Sequence, residues 1–211
     1  MKISDVKNVY CVGRNYVAHA NELGNQVPTR PMLFLTPTHA LVEAGGQTIL
    51  LPGGRGPVHY EVEVVVSVAR AYEDGLTVDD LVDSMAIGID FTLRDVQSAL
   101  KEGGQPWLPA KGFLNSGVLT PFFPFAGETD CKAKDFSLRQ NGNEVQRGNI
   151  SNMIFDLQTI LRFVAQNYGL GAGDVVYTGT PAGVGPVASG DVLTMLWNNR
   201  PLGDITVKLN A

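Results

Sequence analysis

The sequence predicts a mostly β domain of the α+β class, and three observations lead to that prediction. The 24 glycines and 12 prolines are scattered along 211 residues rather than clustered, which favours short strands joined by turns over a helical bundle. Several apolar runs are short enough to be strands, and two of them alternate with polar residues at period two. Only one long stretch has the spacing of an amphipathic helix.

Taken along the chain, the apolar runs place most of the predicted elements in strands. The strands are predicted at residues 9–12, 32–35, 48–51, 58–68, 85–91, 117–121, 136–140, 174–178, 192–197 and 203–209. Asn141, Gly142 and Asn143 form a hairpin turn signal between two of the runs. No repeat, low-complexity tract or linker interrupts the chain, so residues 1–211 are predicted to form a single domain.

Helices are predicted at four places. The clearest is 156–168, where Leu157, Ile160, Leu161 and Val164 recur at helical spacing and Gly169 follows as a stop. A shorter one is predicted at 77–85. A third covers 15–23, with Asn15 as its cap and Gly24 as its stop. The fourth covers 93–100, opened by Thr92 with Asp95 in its first turn, as in a capping box.

Composition narrows the class of protein. With 44% hydrophobic and 18% charged residues, a chain of this length buries a full core. A net charge of −5 and the absence of a basic run argue against a nucleic-acid partner. No window approaches eighteen apolar residues and no signal peptide is evident, so neither membrane binding nor secretion is expected. The expected location is the cytoplasm, where Cys11 and Cys131 would be reduced thiols.

Two carboxylates one residue apart stand in an otherwise apolar run, at Glu61 and Glu63. A strand sends both side chains to the same face, where they repel each other unless a cation binds between them. The alternative is the solvated face of an antiparallel strand. About thirty residues later Asp90 ends a second period-two run. Three oxygen ligands without cysteine suit a hard cation, so Glu61, Glu63 and Asp90 are predicted to bind Mg²⁺ or Mn²⁺.

His19 and Glu22 lie three residues apart on the predicted helix at 15–23, so their side chains share a face. A carboxylate bonded to one imidazole nitrogen fixes the tautomer and leaves the other nitrogen free to accept a proton. The pair is therefore a candidate general base, and an ordinary surface ion pair is the alternative. The polar segment around residues 15–30 is predicted to be a mobile lid.

Lys111 is flanked by apolar and small residues and is either held near the metal site or solvated in a loop. Residues 178–186 form a glycine-rich loop, but they lack dinucleotide-type glycine spacing and a P-loop lysine, so no phosphate site is predicted. His39 and His59 are predicted to be structural or surface residues, and Trp107 and Trp197 to be core or interface aromatics.

Five motifs together resemble the fumarylacetoacetate hydrolase family, in that family's order and spacing. They are Gly13-Arg14-Asn15-Tyr16 with His19 and Glu22; Tyr60-Glu61-Val62-Glu63; Gly88-Ile89-Asp90-Phe91-Thr92 with Arg94, Asp95 and Gln97; Lys111-Gly112-Phe113; and Thr178 to Pro186. The compact length is similar to the small acylpyruvate hydrolase and oxaloacetate decarboxylase branch of the family. Two positions depart from the pattern, with Thr36 where many relatives have lysine and Leu114 where aspartate is usual.

The resemblance implies a rolled, mixed β-sheet core, a homodimer and a set of residue roles. His19 and Glu22 would activate the hydrolytic water, and Lys111 would neutralise the developing oxyanion or enolate. The implied substrate-binding residues are Arg14, Tyr16, Arg94, Gln97 and Thr180.

These features together predict a Mg²⁺- or Mn²⁺-dependent hydrolase that cleaves a C–C bond of small 2,4-dioxo acids, such as acylpyruvates or fumarylpyruvate, to pyruvate and a carboxylic acid. The alternative within the same architecture is an oxaloacetate decarboxylase or tautomerase, or an isomerase or decarboxylase of aromatic catabolism. A metal-binding β module that serves in protein interaction is the non-enzymatic alternative. His19 and Lys111 argue against that module, because neither is needed merely to hold a metal.

Overall fold

The computed structural model describes residues 1–22, 24 and 26–210. Its strands are β1 (Val9–Gly13), β2 (Met32–Leu35), β3 (Leu41–Glu43), β4 (Thr48–Pro52), β5 (Val58–Tyr60), β6 (Val62–Val68), β7 (Val82–Asp90), β8 (Thr92–Leu93), β9 (Gly117–Leu119), β10 (Phe123–Pro124), β11 (Phe136–Gln140), β12 (Asn143–Gly148), β13 (Val175–Tyr177), β14 (Gly185–Pro186), β15 (Val192–Trp197) and β16 (Arg200–Asn210). Its α-helices are α1 (Val17–Glu22), α2 (Val78–Leu81), α3 (Arg94–Glu102), α4 (Leu108–Lys111), α5 (Glu128–Lys132) and α6 (Leu157–Tyr168).

The strands form three sheets, which confirms the predicted mostly β class. An eight-stranded sheet runs β2-β1-β13-β6-β7-β9-β3, with β10 paired to β7. A five-stranded sheet runs β12-β11-β15-β16-β4, and a three-stranded sheet runs β14-β5-β8. Parallel pairs such as β1 with β13 occur beside antiparallel pairs such as β6 with β7, so the sheets are mixed.

The central strand β6 is buried along its whole length, because sheet neighbours flank it and apolar side chains cover both of its faces.

The helices of the described residues are all too short or too polar to span a membrane. The long helix α6 begins after Asp156, whose side chain accepts a hydrogen bond from the Thr159 N–H, and ends at Gly169 as predicted.

Three predictions about elements are wrong. The helix predicted at 77–85 is limited to α2, because the chain from Val82 onward pairs with β6 as strand β7. The strand predicted at 58–68 is broken at Glu61, where the chain passes from the three-stranded sheet to the eight-stranded one. Thr92 does not cap α3: its hydroxyl donates to the Asp90 carbonyl, and Leu93 occupies the capping position without a side-chain bond.

The helix predicted at 15–23 is observed as α1, while Leu23 lies outside the described residues. Asn15 does not cap it. Its side-chain amide instead donates to the carbonyls of Phe155 and Thr178, and its oxygen accepts the Phe155 N–H. Asn15 thus ties the segment before α1 to two distant parts of the chain.

Candidate active site

Three buried carboxylates meet where β6 and β7 lie side by side. Glu61 precedes β6, Glu63 is its second residue and Asp90 ends β7. The Asp90 N–H donates to the Glu61 carbonyl at 2.9 Å, which fixes the two strand ends together. One oxygen from each carboxylate lies within 4.8 Å of the others, and all three side chains are buried. The alternative of a solvated strand face is therefore excluded.

Two basic side chains contact this cluster. The Lys111 ammonium, at the end of α4, donates to Glu61 at 2.7 Å and to Asp90 at 2.6 Å. The Arg94 guanidinium, at the start of α3, donates to the other oxygen of Glu61. Lys111 is only 2% exposed, so the alternative of a solvated loop lysine is wrong.

The two basic side chains do not fully neutralise the three carboxylates of the cluster. Burial favours the neutral form of Glu61, but Lys111 and Arg94 outweigh it and hold the pKa of Glu61 well below its usual range. Burial, together with the charges of Asp90 and Glu61, raises the pKa of Glu63 well above normal. Burial likewise raises the pKa of Asp90 to about 6, against the influence of Lys111. Glu63 is therefore the carboxylate that most needs a further positive charge.

The donor set fits a hard divalent cation. It consists of carboxylate oxygens at the spacing a single ion can span, without sulfur or imidazole. Glu63 is already oriented, because its Oε2 accepts the Gly179 N–H at 2.7 Å. Gly179 has φ 101°, and a Cβ there would lie 2.6 Å from the Cβ of Asn15. The glycine-rich loop thus serves to hold a candidate ligand in place.

The candidate base is assembled at the edge of the same pocket. His19 Nδ1 lies 3.3 Å from Glu22 Oε2, and His19 is buried. Glu22 in turn accepts the Gly183 N–H at 3.0 Å, so the pair is linked to the glycine-rich loop. Burial lowers the pKa of His19 despite the nearby charges of Glu61 and Glu22, which keeps the imidazole neutral near pH 7. With Nδ1–H donating to Glu22, Nε2 is free to accept a proton.

Helix α3 presents one face to the pocket. Arg94, Gln97 and Lys101 are spaced at i, i+3 and i+7, so they lie on one side of the helix and all three line the cavity. Arg94 Nη1 donates to Gln97 Oε1 at 2.8 Å, which orients the amide. The rest of the lining consists of Val12, Gly13, Arg14, His19, Phe34, Glu61, Glu63, Asp90, Trp107, Lys111 and Thr180.

Of the five residues implied to bind substrate, Arg14, Arg94, Gln97 and Thr180 line this pocket and Tyr16 does not. Tyr16 is buried with its ring edge-on to Phe136, because the core rather than the cavity takes its aromatic ring. Thr180 lines the pocket, but its hydroxyl donates to the Val62 carbonyl and accepts from Gln146. The hydroxyl proton of Thr180 is therefore already used in a hydrogen bond within the protein.

Arg14 adopts an uncommon backbone conformation, with φ 58°. A non-glycine residue held in the left-handed region is strained, and such strain is concentrated at functional sites. Its Nε is buried and has no hydrogen-bond partner among the described residues. Arg14 thus lines the cavity with a side chain whose Nε donor is not satisfied within the described residues.

Sequence reasoning missed Lys101 and Phe34. The i, i+7 spacing from Arg94 was the signal for Lys101. Trp107, predicted to be a core or interface aromatic, packs against Phe34 and lines both this cavity and an apolar groove beside β2. Trp197 packs on Phe123 as a core aromatic. His39 is exposed and His59 half-buried, both outside the cavity lining.

Comparison with known proteins identifies the family of the chain. Residues 8–208 match the model of the family described as fumarylacetoacetate (FAA) hydrolase C-terminal. The oxaloacetate tautomerase YcgM of Escherichia coli is 40% identical over 200 residues, covering 93% of this chain and 91% of that protein. The mitochondrial oxaloacetate decarboxylase of Dictyostelium discoideum is 33% identical over 192 residues, covering 89% and 87%.

Among solved structures, fumarylpyruvate hydrolase from Pseudomonas aeruginosa, crystallised with Mn²⁺ and pyruvate, superposes with a TM-score of 0.88. It is 31% identical, and the match covers 97% of this chain and 91% of that one. The match of nearly the whole chain to one family model, together with these relatives, shows that this protein belongs to the fumarylacetoacetate hydrolase family.

Proposed function

We propose that this protein is a divalent-cation-dependent oxaloacetate tautomerase or decarboxylase of the cytoplasm. The observation that supports it most is the buried ammonium of Lys111. It donates hydrogen bonds to Glu61 and Asp90, two of the three carboxylates that could bind a cation. The names of the relatives favour oxaloacetate chemistry over the acylpyruvate hydrolysis that the sequence first suggested. When bound, Mg²⁺ or Mn²⁺ supplies Lewis-acid polarisation of the substrate's 2-oxo group.

The side chains of the pocket supply the rest of the chemistry. Tautomerisation moves a proton between C3 of oxaloacetate and its 2-oxo oxygen. The neutral Nε2 of His19 accepts the C3 proton, and Glu22 stabilises the imidazolium that results. Negative charge then develops on the 2-oxo oxygen, and the imidazolium returns its proton to that oxygen to give the enol; the reverse transfers give the keto form. Lys111 remains an ammonium, because Asp90 and Glu61 outweigh its burial and raise its pKa, and it stabilises this charge.

Decarboxylation needs the same charge stabilisation but no base at C3. The C3–C4 bond breaks, CO₂ leaves, and the electron pair moves onto the 2-oxo oxygen beside Lys111. Of these two reactions, only tautomerisation requires His19 for the bond-breaking step. The two are therefore separable by substitution at His19.

A second candidate is hydrolysis of acylpyruvates, which the His19–Glu22 pair favours. In that reaction Nε2 would deprotonate a water that attacks the C4 carbonyl, and C3–C4 cleavage would release pyruvate and a carboxylic acid. The structural likeness to a fumarylpyruvate hydrolase supports this candidate. Both candidate reactions would take place in the same pocket.

The experiment that ranks the candidates measures three rates on one preparation: enol-to-keto conversion of oxaloacetate, its decarboxylation, and hydrolysis of acetylpyruvate and fumarylpyruvate. We expect the oxaloacetate rates to exceed hydrolysis. His19→Gln should lower tautomerisation and hydrolysis by about 10²–10⁴-fold, with decarboxylation much less affected. His39→Gln, at an exposed histidine, is the matched control. If the wild type hydrolyses an acylpyruvate faster than it converts oxaloacetate, hydrolysis becomes the favoured function.

We propose that the segment around residues 15–30 is the lid of this pocket, with Leu23 and Asn25 outside the described residues. The pocket is partly open, with about 30 Å³ of space for the centres of water-sized molecules. Opening of contacts such as that of Glu22 with Gly183 would widen it for a four-carbon acid.

We also propose a homodimer, as expected from the family. Strand β2 is at the edge of the eight-stranded sheet, beside a groove of about 990 Å³ lined by Leu35, Leu108 and Tyr168. These three side chains are 56%, 55% and 61% exposed, and exposed apolar patches of this kind mark interfaces. Light scattering should give twice the chain mass, and Leu35→Glu should shift it towards the monomer. A monomeric wild type would contradict the proposal.

A further inference from the structure

We propose that Lys101 and Arg14 form a subsite for a second, distal carboxylate of the substrate, so that the pocket selects 2-oxo dicarboxylic acids over 2-oxo monocarboxylic acids. This inference rests on the proposed function and deepens it. Lys101 is a specificity-determining residue in this account, distinct from the groups that act at the 2-oxo carbon.

The subsite lies at the far end of an aromatic wall. Lys111, at the carboxylate cluster, lies 5.2 Å from the ring centroid of Phe34. The Phe34 and Trp107 centroids are 5.6 Å apart, and Lys101 Nζ lies 5.6 Å from the Trp107 centroid. Both ammonium groups therefore lie against the same pair of rings in one cavity. A substrate whose 2-oxo acid end lies beside Lys111 would direct its distal carboxylate to the Lys101 side of these rings.

Both cations of the subsite lack an anionic partner. Among residues 1–22, 24 and 26–210, neither Lys101 nor Arg14 forms a salt bridge, whereas Arg94 and Lys111 both pair with Glu61. Arg14 also has the buried, unpartnered Nε described above. Cations that are half-buried and unpaired in a pocket are poised to bind an anion from solution.

The charge of the whole lining favours a dianion. Four basic side chains and three carboxylates line the cavity, so the basic groups are already in excess, and a divalent cation on the carboxylates enlarges that excess. Two of the basic groups are already paired within the cluster, so the excess is located at Lys101 and Arg14. A dicarboxylate offsets more of this positive charge than a monocarboxylate does.

The protonation behaviour of Lys101 agrees with this placement. Burial, and then the charges of Arg14 and Arg94, lower the pKa of Lys101 to about 8. These charges destabilise the ammonium in the free protein. A carboxylate placed between the two cations reverses that effect, so binding is favoured by relief of repulsion as well as by direct contact.

The test compares two ligands that share a 2-hydroxy acid end and differ in the distal carboxylate, L-malate and L-lactate. Calorimetric titration of the Mn²⁺-loaded protein should show malate binding about 10–100-fold more tightly, the range expected for a charge-assisted contact. Lys101→Met should remove most of that preference, and Lys101→Arg should retain it. Lys208→Met, at an exposed lysine outside the pocket, is the matched control. Equal affinities in the wild type would overturn the inference.

Kinetics separate failure of the subsite from failure of the proposed function. For tautomerisation of oxaloacetate, Lys101→Met should raise KM about 10–100-fold with kcat nearly unchanged, because the distal carboxylate keeps its charge and is bound equally in ground and transition states. For oxaloacetate 4-methyl ester, which lacks the distal charge, the same substitution should leave KM unchanged. A protein that prefers malate to lactate yet turns over no oxaloacetate would refute the function while leaving the subsite intact. An equal effect of Lys101→Met on both substrates would refute the subsite.

Discussion

At the scale of residues, Glu63 is the carboxylate on which the proposed cation site should depend most. Glu61 contacts both Lys111 and Arg94, and Asp90 contacts Lys111, whereas the described partner of Glu63 is the Gly179 N–H. Its raised pKa reflects burial beside two other carboxylates. A cation bound by the cluster would offset the cost of keeping Glu63 ionised beside two other carboxylates. The raised pKa of Glu63 therefore supports a cation site at this position.

We predict that Glu63→Gln lowers the affinity for Mn²⁺ at least tenfold, because it keeps the shape of the side chain and removes its charge. Titration calorimetry on protein stripped with a chelator measures the affinity directly. Glu73→Gln, at an exposed glutamate, should bind Mn²⁺ like the wild type. Unchanged affinity in Glu63→Gln would exclude this carboxylate as a ligand.

We predict that kcat/KM for oxaloacetate falls above about pH 8, because Lys101 has its pKa lowered to about 8 and binds the distal carboxylate only as an ammonium. The sign follows from protonation, since the charged form predominates below that pKa and is lost above it. The charged groups that act on Lys101 are Arg14, Arg94, Glu61 and Lys111. In Lys101→Met the decline near pH 8 should disappear, and its persistence there would assign it to another group.

At the scale of elements, the site depends on a break between two consecutive strands. The sequence from Val58 to Val68 looks like one strand, but the chain divides at Glu61, with β5 in the three-stranded sheet and β6 in the eight-stranded sheet. This break places Glu61 where it contacts the ends of both β7 and α4. Asn15 has a comparable role before α1, since it joins the base-bearing segment to the glycine-rich loop.

We predict that Asn15→Ala destabilises the protein by about 3 kcal/mol, because it leaves two carbonyls and one N–H without their buried partner, at about 1 kcal/mol or more each. Chemical denaturation measures the loss. Asn167→Ala, which removes a single bond from an exposed amide, should cost less than about 1 kcal/mol. A loss of that small size in Asn15→Ala would show that its hydrogen bonds do not anchor the segment.

The sequence was sufficient for the features that depend on local pattern. Short apolar runs between turn residues placed β2, β11 and β15 at their observed bounds, and helical spacing located α6 to within one residue. The spacing of Glu61, Glu63 and Asp90 predicted the carboxylate cluster, because adjacent antiparallel strands bring their ends together. His19 and Glu22 were likewise predicted to contact each other, since they lie three positions apart on a helix.

The features that the sequence did not reveal depend on contacts between distant residues. Strands as short as β8, β10 and β14 have two residues each and exist only through their pairing. The chain at Val82 takes the strand conformation because β6 is available to pair with it. Trp107 joins the pocket wall because tertiary packing brings Phe34 beside it. None of these outcomes is encoded in local periodicity.

At the scale of the whole molecule, strands of the eight-stranded sheet and several short helices meet at a charged pocket beside an apolar core. Strands β6 and β7, helices α1, α3 and α4, and the glycine-rich loop all contribute to it. A ligand that binds this junction links parts of the chain that are far apart in sequence. Its binding should therefore stabilise the fold as a unit.

We predict that Mn²⁺ raises the Tm of the wild type, because a ligand that binds only the folded state adds about 2.7 kcal/mol at a hundredfold excess over its Kd. Thermal scans at increasing Mn²⁺ measure the shift, and Mg²⁺ should act in the same direction. Glu63→Gln should show little shift and Glu73→Gln the full one. A cation-independent wild-type Tm would contradict a site at this junction.

The central claim is that Lys111 and a divalent cation together stabilise negative charge on the 2-oxo oxygen of oxaloacetate. It is tested most directly by the rate of enol-to-keto conversion, measured with the cation-loaded wild type, the chelated wild type and cation-loaded Lys111→Met. The account predicts rapid conversion in the first, with losses of about 10²-fold or more in the other two. Full activity of Lys111→Met or of the chelated enzyme, or no acceleration by the loaded wild type, would contradict it.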